Sequence, residues 1–183
     1  LEIVEAQLSQ LTAMVERILT VSVEGRQAKL SIEQVAMCEV FEQIVEGIQI
    51  SGNEGAILNI DCDERLLVTA DPHHLKSVVM TLIDNALKYG GRPIAITLAA
   101  TKVDSTTEIR VADNGCGIAR EHLPHLFEKF YRVPSGDVQR PRGYGLGLYY
   151  ARQVIEAHGG QISAESRTGH GTTIIIKLPD NEQ

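Results

Sequence analysis

A two-layer α/β sandwich of the α+β kind, built on a mixed β-sheet, is the fold class this sequence predicts. Three observations point to it. At 183 residues the chain is long enough for one domain with a full core plus a short appendage. Strand-like and helix-like segments alternate irregularly, without the regular rhythm of a doubly wound parallel sheet. Late in the chain the strands come in hairpin-like pairs.

The first 25 residues read as a helix in which Leu1, Val4, Leu8, Leu11, Val15 and Ile18 recur at spacings of three and four. That is the narrow a/d seam of a coiled coil or helical bundle, so a helical unit over residues 1–27 that pairs with a partner is expected. The alternative is a helix lying on its own domain. Residues 30–36 alternate partly, as a short strand does, and a helix follows with Val40, Phe41, Ile44, Val45 and Ile48 inward. Ser51-Gly52-Asn53 stops it. Residues 57–60 and 66–69 are two short strands around a polar loop. Asp71 then caps a strong helix with Pro72 at its first position and Leu75, Val78, Val79, Leu82, Ile83 and Ala86 on its apolar face. Gly90-Gly91 is expected to end it.

Strands at 94–102 and 107–112 lead to the glycine-rich turn 113–117 and a short helix at 120–125. The loop 132–142 holds two prolines and no apolar periodicity. Gly143-Tyr144-Gly145-Leu146-Gly147 opens a helix through about residue 157, stopped by His158-Gly159-Gly160. Strands at 161–165 and 172–178 complete a domain spanning 30–179, before a polar tail at 180–183.

Composition narrows the function. A net charge of −7 argues against non-specific nucleic-acid binding. No stretch approaches the ~20 apolar residues of a membrane span, and no signal peptide is expected from the mixed apolar and acidic opening. Cys38, Cys62 and Cys116 are scattered and odd in number, which reads as neither a disulfide framework nor a zinc site and favours a reducing compartment.

Three segments carry chemistry. On the 72–89 helix, Thr81, Asn85 and Lys88 at i, i+4 and i+7 are expected on one face, away from the apolar stripe. Asn85 offers a neutral oxygen suited to Mg²⁺, which keeps most of its waters and takes other oxygens from phosphates. Lys88 offers a charge to phosphate. Solvation of an exposed face is the plainer reading of these residues alone. Asp113 closes an apolar strand before Gly115 and Gly117, where the backbone turns tightly; its carboxylate suits an exocyclic amine such as adenine's. An ordinary Asx turn uses the same residues. Gly143, Gly145 and Gly147 precede a helix, whose N-terminal amides suit an anion. Arg132, Arg140 and Arg142, in or beside the preceding loop, can bring guanidinium forks to a phosphate.

In this order the three segments resemble the N, G1 and G2 boxes of histidine-kinase ATP-binding domains. Leu126-Phe127-Glu128-Lys129-Phe130-Tyr131-Arg132 looks like that family's F box, and Gly169-His170-Gly171-Thr172 like its late Gly-Thr segment. The resemblance covers residues 30–179, with 1–25 similar to the second helix of the family's dimerisation and phosphotransfer domain. It implies the Bergerat ATP-binding fold, with Asp113 on the adenine amine, Asn85 on Mg²⁺, Lys88 on phosphate and Tyr89 against base or sugar. Gly115, Gly117, Ile118, Gly143, Gly145, Leu146, Gly147 and Leu148 would shape the cleft. Thr172 would help a water reach adenine, and Phe127 and Phe130 would anchor the base of an ATP lid. Arg132 with Arg140 or Arg142 would act near the γ-phosphate.

The implied activity is γ-phosphoryl transfer from Mg·ATP to a histidine on a helix preceding residue 1, in a two-component protein that partners a response-regulator receiver domain. The resemblance further implies a homodimer and a cytoplasmic domain of a membrane-anchored bacterial sensor. Thr81 departs from the second Asn common at its position, and Tyr144 from a small hydroxyl residue. A serine kinase of the anti-sigma type and a non-catalytic nucleotide-binding module stay open as alternatives.

Overall fold

The computed structural model describes residues 30–50, 55–91, 93–134 and 144–180. The expected helix at 1–27, Arg140, Arg142 and Gly143, and the tail beyond residue 180 lie outside them. The elements run β1 (Glu33–Ala36), α1 (Met37–Ile50), β2 (Ala56–Cys62), β3 (Leu67–Ala70), α2 (Pro72–Tyr89), β4 (Ile94–Val103), β5 (Thr106–Asp113), a 3₁₀ turn (Arg120–His125), α3 (Gly147–Ala157), β6 (Gln161–Ser166) and β7 (Thr172–Pro179).

The main sheet has the order β2-β4-β5-β7-β6, and β1 and β3 form a separate antiparallel ribbon. β2 runs parallel to β4 and every other pair is antiparallel, so the sheet is mixed, as expected. The parallel pair requires a crossover, which β3 and α2 supply. Alternation sets the inner face: Ile96, Leu98 and Ala100 of β4, Ile109 and Val111 of β5, and Ile174, Ile176 and Leu178 of β7 are buried. Against them pack Phe41 and Ile44 of α1, Leu75, Val79 and Ile83 of α2, and Ala151 and Ile155 of α3. Burying such side chains contributes about 1.5–3 kcal/mol each before entropy is charged, so this interior fixes where the strand ends fall.

Asp71 caps α2 as the sequence indicated, accepting from the His74 amide at 3.0 Å, and its other oxygen accepts from the Ser31 amide at 2.9 Å. Burial opposes its ionisation, yet the His74 and Ser31 amides and the His74 ring outweigh it, and the pKa falls to about 2. The Asp71 amide donates to His158 Nε2 at 3.0 Å, while His158 Nδ1 lies 2.7 Å from the Val154 carbonyl. The imidazole therefore carries its proton on Nδ1 and ties the end of α3 to the start of α2.

One expectation is met and one corrected. α2 stops before Gly90, as expected, and Gly90 leaves it in extended backbone (φ −64°, ψ 164°). Glycine is needed there because a Cβ would meet the Ala86 carbonyl oxygen at 2.6 Å. The cysteines, read from spacing as unbridged, include a disulfide: Cys38 at the start of α1 and Cys62 at the end of β2 are joined, their Cα atoms 5.8 Å apart. Their separation of 24 residues hid a contact that only the packing of α1 on β2 creates. Among the described residues no helix is long and apolar enough to cross a membrane.

Candidate nucleotide-binding site

β5 is the central strand, and its last residue, Asp113, pairs with Ile96 of β4 on one side and Thr172 of β7 on the other. Asp113 Oδ1 accepts from the Gly115 amide at 2.7 Å and from the Thr172 amide at 3.3 Å. Oδ2 has no partner among the described residues. Burial pushes this carboxyl above the usual aspartate value of 3.8, and the two amides pull against that without cancelling it. A half-buried carboxylate with one oxygen committed and one open suits a single incoming N–H donor.

Close backbone approach holds this strand end together. Gly171 sits at φ +84°, and a Cβ there would lie 1.9 Å from the Asp113 carbonyl oxygen. Gly117, at φ +67°, would place a Cβ 2.0 Å from the Arg167 carbonyl oxygen. Two turns, 113–117 and 167–171, thus interlock in a way no residue with a side chain permits. Gly115 meets the C-terminal end of α2, where a Cβ would be 2.3 Å from the Tyr89 carbonyl oxygen.

Sequence reasoning missed two residues here. Ser166 Oγ accepts from the Ile118 amide (2.8 Å), donates to the Gly171 carbonyl (2.7 Å) and lies 3.0 Å from Thr172 Oγ1. Its one proton is spent on Gly171, so Thr172 donates its own proton to Ser166 and presents lone pairs outward, ready for a water or ligand donor. Ser166 meets Thr172 only through the β6–β7 register, which no local motif signals. Asn114, inside the glycine turn, accepts from the Gly91 and Ala95 amides and donates to the Pro93 carbonyl, fixing the α2–β4 connection.

α2 and α3 form the facing wall. A Cβ on Gly147 would lie 3.1 Å from Thr81 Cγ2 and 3.9 Å from Asn85 Nδ2, so the N-terminus of α3 seats directly over Asn85. Asn85 is half-buried, and its side chain makes no hydrogen bond among the described residues. Its neighbours depart from the expected shared face. Thr81 is buried and gives its hydroxyl to the Ser77 carbonyl at 2.9 Å, because α3 covers it. Lys88 is exposed and paired with Asp84, one turn earlier on α2.

The base of the next loop is set by backbone. Phe130 has φ +65°, donates its amide to the Gly145 carbonyl at 3.0 Å, and is 63 % exposed. Phe127 is buried and anchors this segment, whereas the Phe130 ring does not, since the left-handed backbone turns it outward. Gly145, at φ +68°, is equally required, for a Cβ would meet Phe130 C at 2.6 Å. Leu146 is buried; Ile118 and Leu148 pack against the core half-buried. Arg132 is exposed. Tyr131 OH lies 2.7 Å from His122 Nδ1, a second tie at this base.

The residues present fit an adenine nucleotide with its metal. Among the described residues Asp113 keeps an open acceptor and the Asn85 side-chain amide is uncommitted, glycines admit close approach, and a helix N-terminus such as that of α3 suits an anion. Helices over one face of a mixed five-stranded sheet match the fold of histidine-kinase catalytic domains. Residues 70–182 match the family described as histidine kinase-, DNA gyrase B-, and HSP90-like ATPase, and the chain belongs to it.

The sensor histidine kinase YkoH of Bacillus subtilis is 28 % identical over 180 residues, 98 % of this chain and 39 % of YkoH. The chain thus spans well under half the length of the curated relatives it matches. The mycobacterial sensor histidine kinase MprB superposes with a TM-score of 0.69 at 27 % identity, over 81 % of this chain and 97 % of that one. The histidine kinase ThkA, solved in complex with the response regulator protein TrrA, gives 0.78 over 98 % of this chain and 50 % of its own. At 24 % identity that likeness shows the fold alone.

Proposed function

We propose that this domain binds Mg·ATP between α2, α3 and the end of β5, and transfers the γ-phosphoryl group to a histidine on a helical domain of the same protein. Asp113 Oδ2 accepts from the adenine amine, and Thr172 offers its lone pairs to a bridging water. Asn85 holds the magnesium ion, which neutralises phosphate charge when bound. Lys88 exchanges Asp84 for phosphate, and the α3 N-terminus with Gly145 and Gly147 receives the phosphate chain. Arg132, with Arg140 or Arg142, acts near the γ-phosphate. In the transfer the bond from the γ-phosphorus to its bridging oxygen breaks, a bond to an imidazole nitrogen forms, and ADP leaves. Positioning and charge neutralisation supply most of the catalysis in such a reaction.

The observation that carries this reading is the division of labour on Asp113: Oδ1 satisfied by two amides, Oδ2 open at a glycine-lined strand end. The domain would serve a two-component protein as its catalytic part, cytoplasmic and dimeric through residues 1–27, with a receiver domain as downstream partner. The ThkA–TrrA complex is an instance of a protein with this fold assembled with such a partner. Calorimetry with Mg·ADP, followed by transfer of labelled phosphate to the protein's own helical domain supplied separately, tests it. Absence of nucleotide binding removes the whole reading; binding without transfer reduces the domain to a nucleotide-binding module.

A further inference from the structure

The Cys38–Cys62 pair lies far from the nucleotide site. Cys62 pairs with Ala100 in the β2–β4 register, whereas Asp113 pairs with Ile96 on β4, four residues away. At about 3.3 Å per residue the two sites are separated by roughly 13 Å along the strand. At the Cys62 end a cavity of about 710 Å³ opens to solvent, and Cys62 lines it. Cys38 is only 5 % exposed and sits behind it in the first turn of α1.

Both redox states fit this site. The 5.8 Å Cα separation lies in the ordinary range for a disulfide, so forming the bond requires no backbone movement. The Asp63 carbonyl oxygen lies 3.1 Å from Cys38 Sγ and 3.6 Å from Cys62 Sγ. With two lone pairs it accepts an S–H from each reduced thiol, so opening the bond leaves neither sulfur orphaned. The cavity is lined by three cations, Arg65, Lys102 and Arg110, and three acids, Asp61, Asp63 and Glu108; Arg110 is paired with Glu108 and Lys102 with Asp180, which leaves the Arg65 guanidinium and the Asp61 carboxylate without an ion pair among the described residues. Such a lining accommodates a small zwitterion better than an anion or cation alone.

We infer that Cys38 and Cys62 form a reversible thiol–disulfide site, reached through Cys62 by a zwitterionic low-molecular-weight disulfide. The Cys62 thiolate attacks the small disulfide, forming a mixed disulfide and releasing one small thiolate. Cys38 then loses its proton to solvent and attacks Cys62 Sγ, displacing the second small thiolate. Two protein thiols are oxidised and one small disulfide is reduced to two thiols, which balances the exchange. The bridge ties α1 to β2 and so restricts the unfolded chain. It touches no residue of the nucleotide site; oxidation raises stability and leaves nucleotide affinity unchanged. This inference is independent of the proposed kinase function.

The test uses the full chain, reduced with a phosphine, equilibrated with glutathione and its disulfide at graded ratios, alkylated and mapped by mass spectrometry. Expected are a linked Cys38–Cys62 peptide under oxidising ratios, its loss on return to reducing ones, and a melting midpoint about 8 °C lower in the reduced form. Cys38→Ala should trap glutathione on Cys62, and Cys62→Ala should leave Cys38 unmodified. Alkylation of both cysteines across the whole series, a bridge that uses Cys116, or equal melting midpoints in the two wild-type forms would each overturn the inference. The wild-type measurements decide it even if a variant fails to fold.

Discussion

The Thr172 amide donates to Asp113 Oδ1 across the end of the β5–β7 pair, at 3.3 Å and over a separation of 59 residues. Together with the Gly115 amide this bond decides which carboxylate oxygen is left for a ligand. Asp113→Asn tests that division. The Asn side chain satisfies the two amides by turning its oxygen toward them, which aims its NH₂ at an incoming amine. Two donors then face one another, and an unmade bond of this kind costs about 1–3 kcal/mol. Mg·ADP affinity is expected to fall about 30-fold with the fold intact by circular dichroism. Undiminished affinity by calorimetry would remove Asp113 from the adenine pocket.

Acid should act on Asp71 and Asp113 in opposite senses. Asp71 has its pKa lowered from 3.8 to about 2 in the folded state. Its contribution is present above pH 4 and is lost as pH falls from about 4 to about 2, an amount of roughly 2 kcal/mol. Asp113 is shifted upward, so its ionised form disfavours folding, and that small penalty appears as pH rises from 3.8 through its raised value. Nucleotide binding needs the ionised form and should therefore weaken at a higher pH than an ordinary aspartate would dictate. Denaturant titrations from pH 2 to 5 on wild type and Asp71→Asn check the first statement, because Asn still caps the helix but does not titrate. Calorimetry with Mg·ADP over the same series checks the second.

Much of this was legible in the sequence, for identifiable reasons. The boundaries of α2 could be read because Asp71-Pro72 is a local cap signal and six apolar residues repeat at helical spacing. The mixed sheet followed from hairpin-like spacing late in the chain. What could not be read depends on contacts between distant segments. Thr81 seemed to belong with Asn85 and Lys88 by spacing alone, yet α3 folds over it. Ser166 has no motif around it, and its role exists only because β6 and β7 bring it beside Thr172. The disulfide was hidden for the same reason.

Gly145 and Phe130 form a coupled pair in which each backbone permits the other. Gly145→Ala demands φ +68° of an alanine and places its Cβ against Phe130 C at 2.6 Å. The chain must give at the base of the loop, since strain of this kind costs about 1–3 kcal/mol and the Phe130–Gly145 hydrogen bond is lost with it. Nucleotide affinity is expected to drop at least tenfold while the melting midpoint falls by only a few degrees. Phe130→Gly runs the other way, relieving the φ +65° strain and raising the midpoint slightly. Midpoints that move in the same direction for both variants would contradict the coupling.

Gly147 offers a sharper test, because its neighbour can be trimmed. An added Cβ meets Thr81 Cγ2 at 3.1 Å, closer than comfortable contact, while Asn85 Nδ2 at 3.9 Å is at ordinary distance. In Gly147→Ala, α3 is therefore expected to lift slightly off α2 at Thr81, widening the cleft beside Asn85 and weakening Mg·ADP binding about fivefold. Global stability should hardly change, as alanine is the better helix former and offsets the contact by about 1 kcal/mol. Thr81→Ser removes the offending methyl and keeps the hydroxyl bonded to Ser77. The double variant should recover near wild-type affinity, a coupling of the kind that adjoining residues show in double-mutant cycles. If Thr81→Ser fails to rescue, the new methyl obstructs the nucleotide itself, and the loss reports direct contact at Gly147 instead of helix displacement.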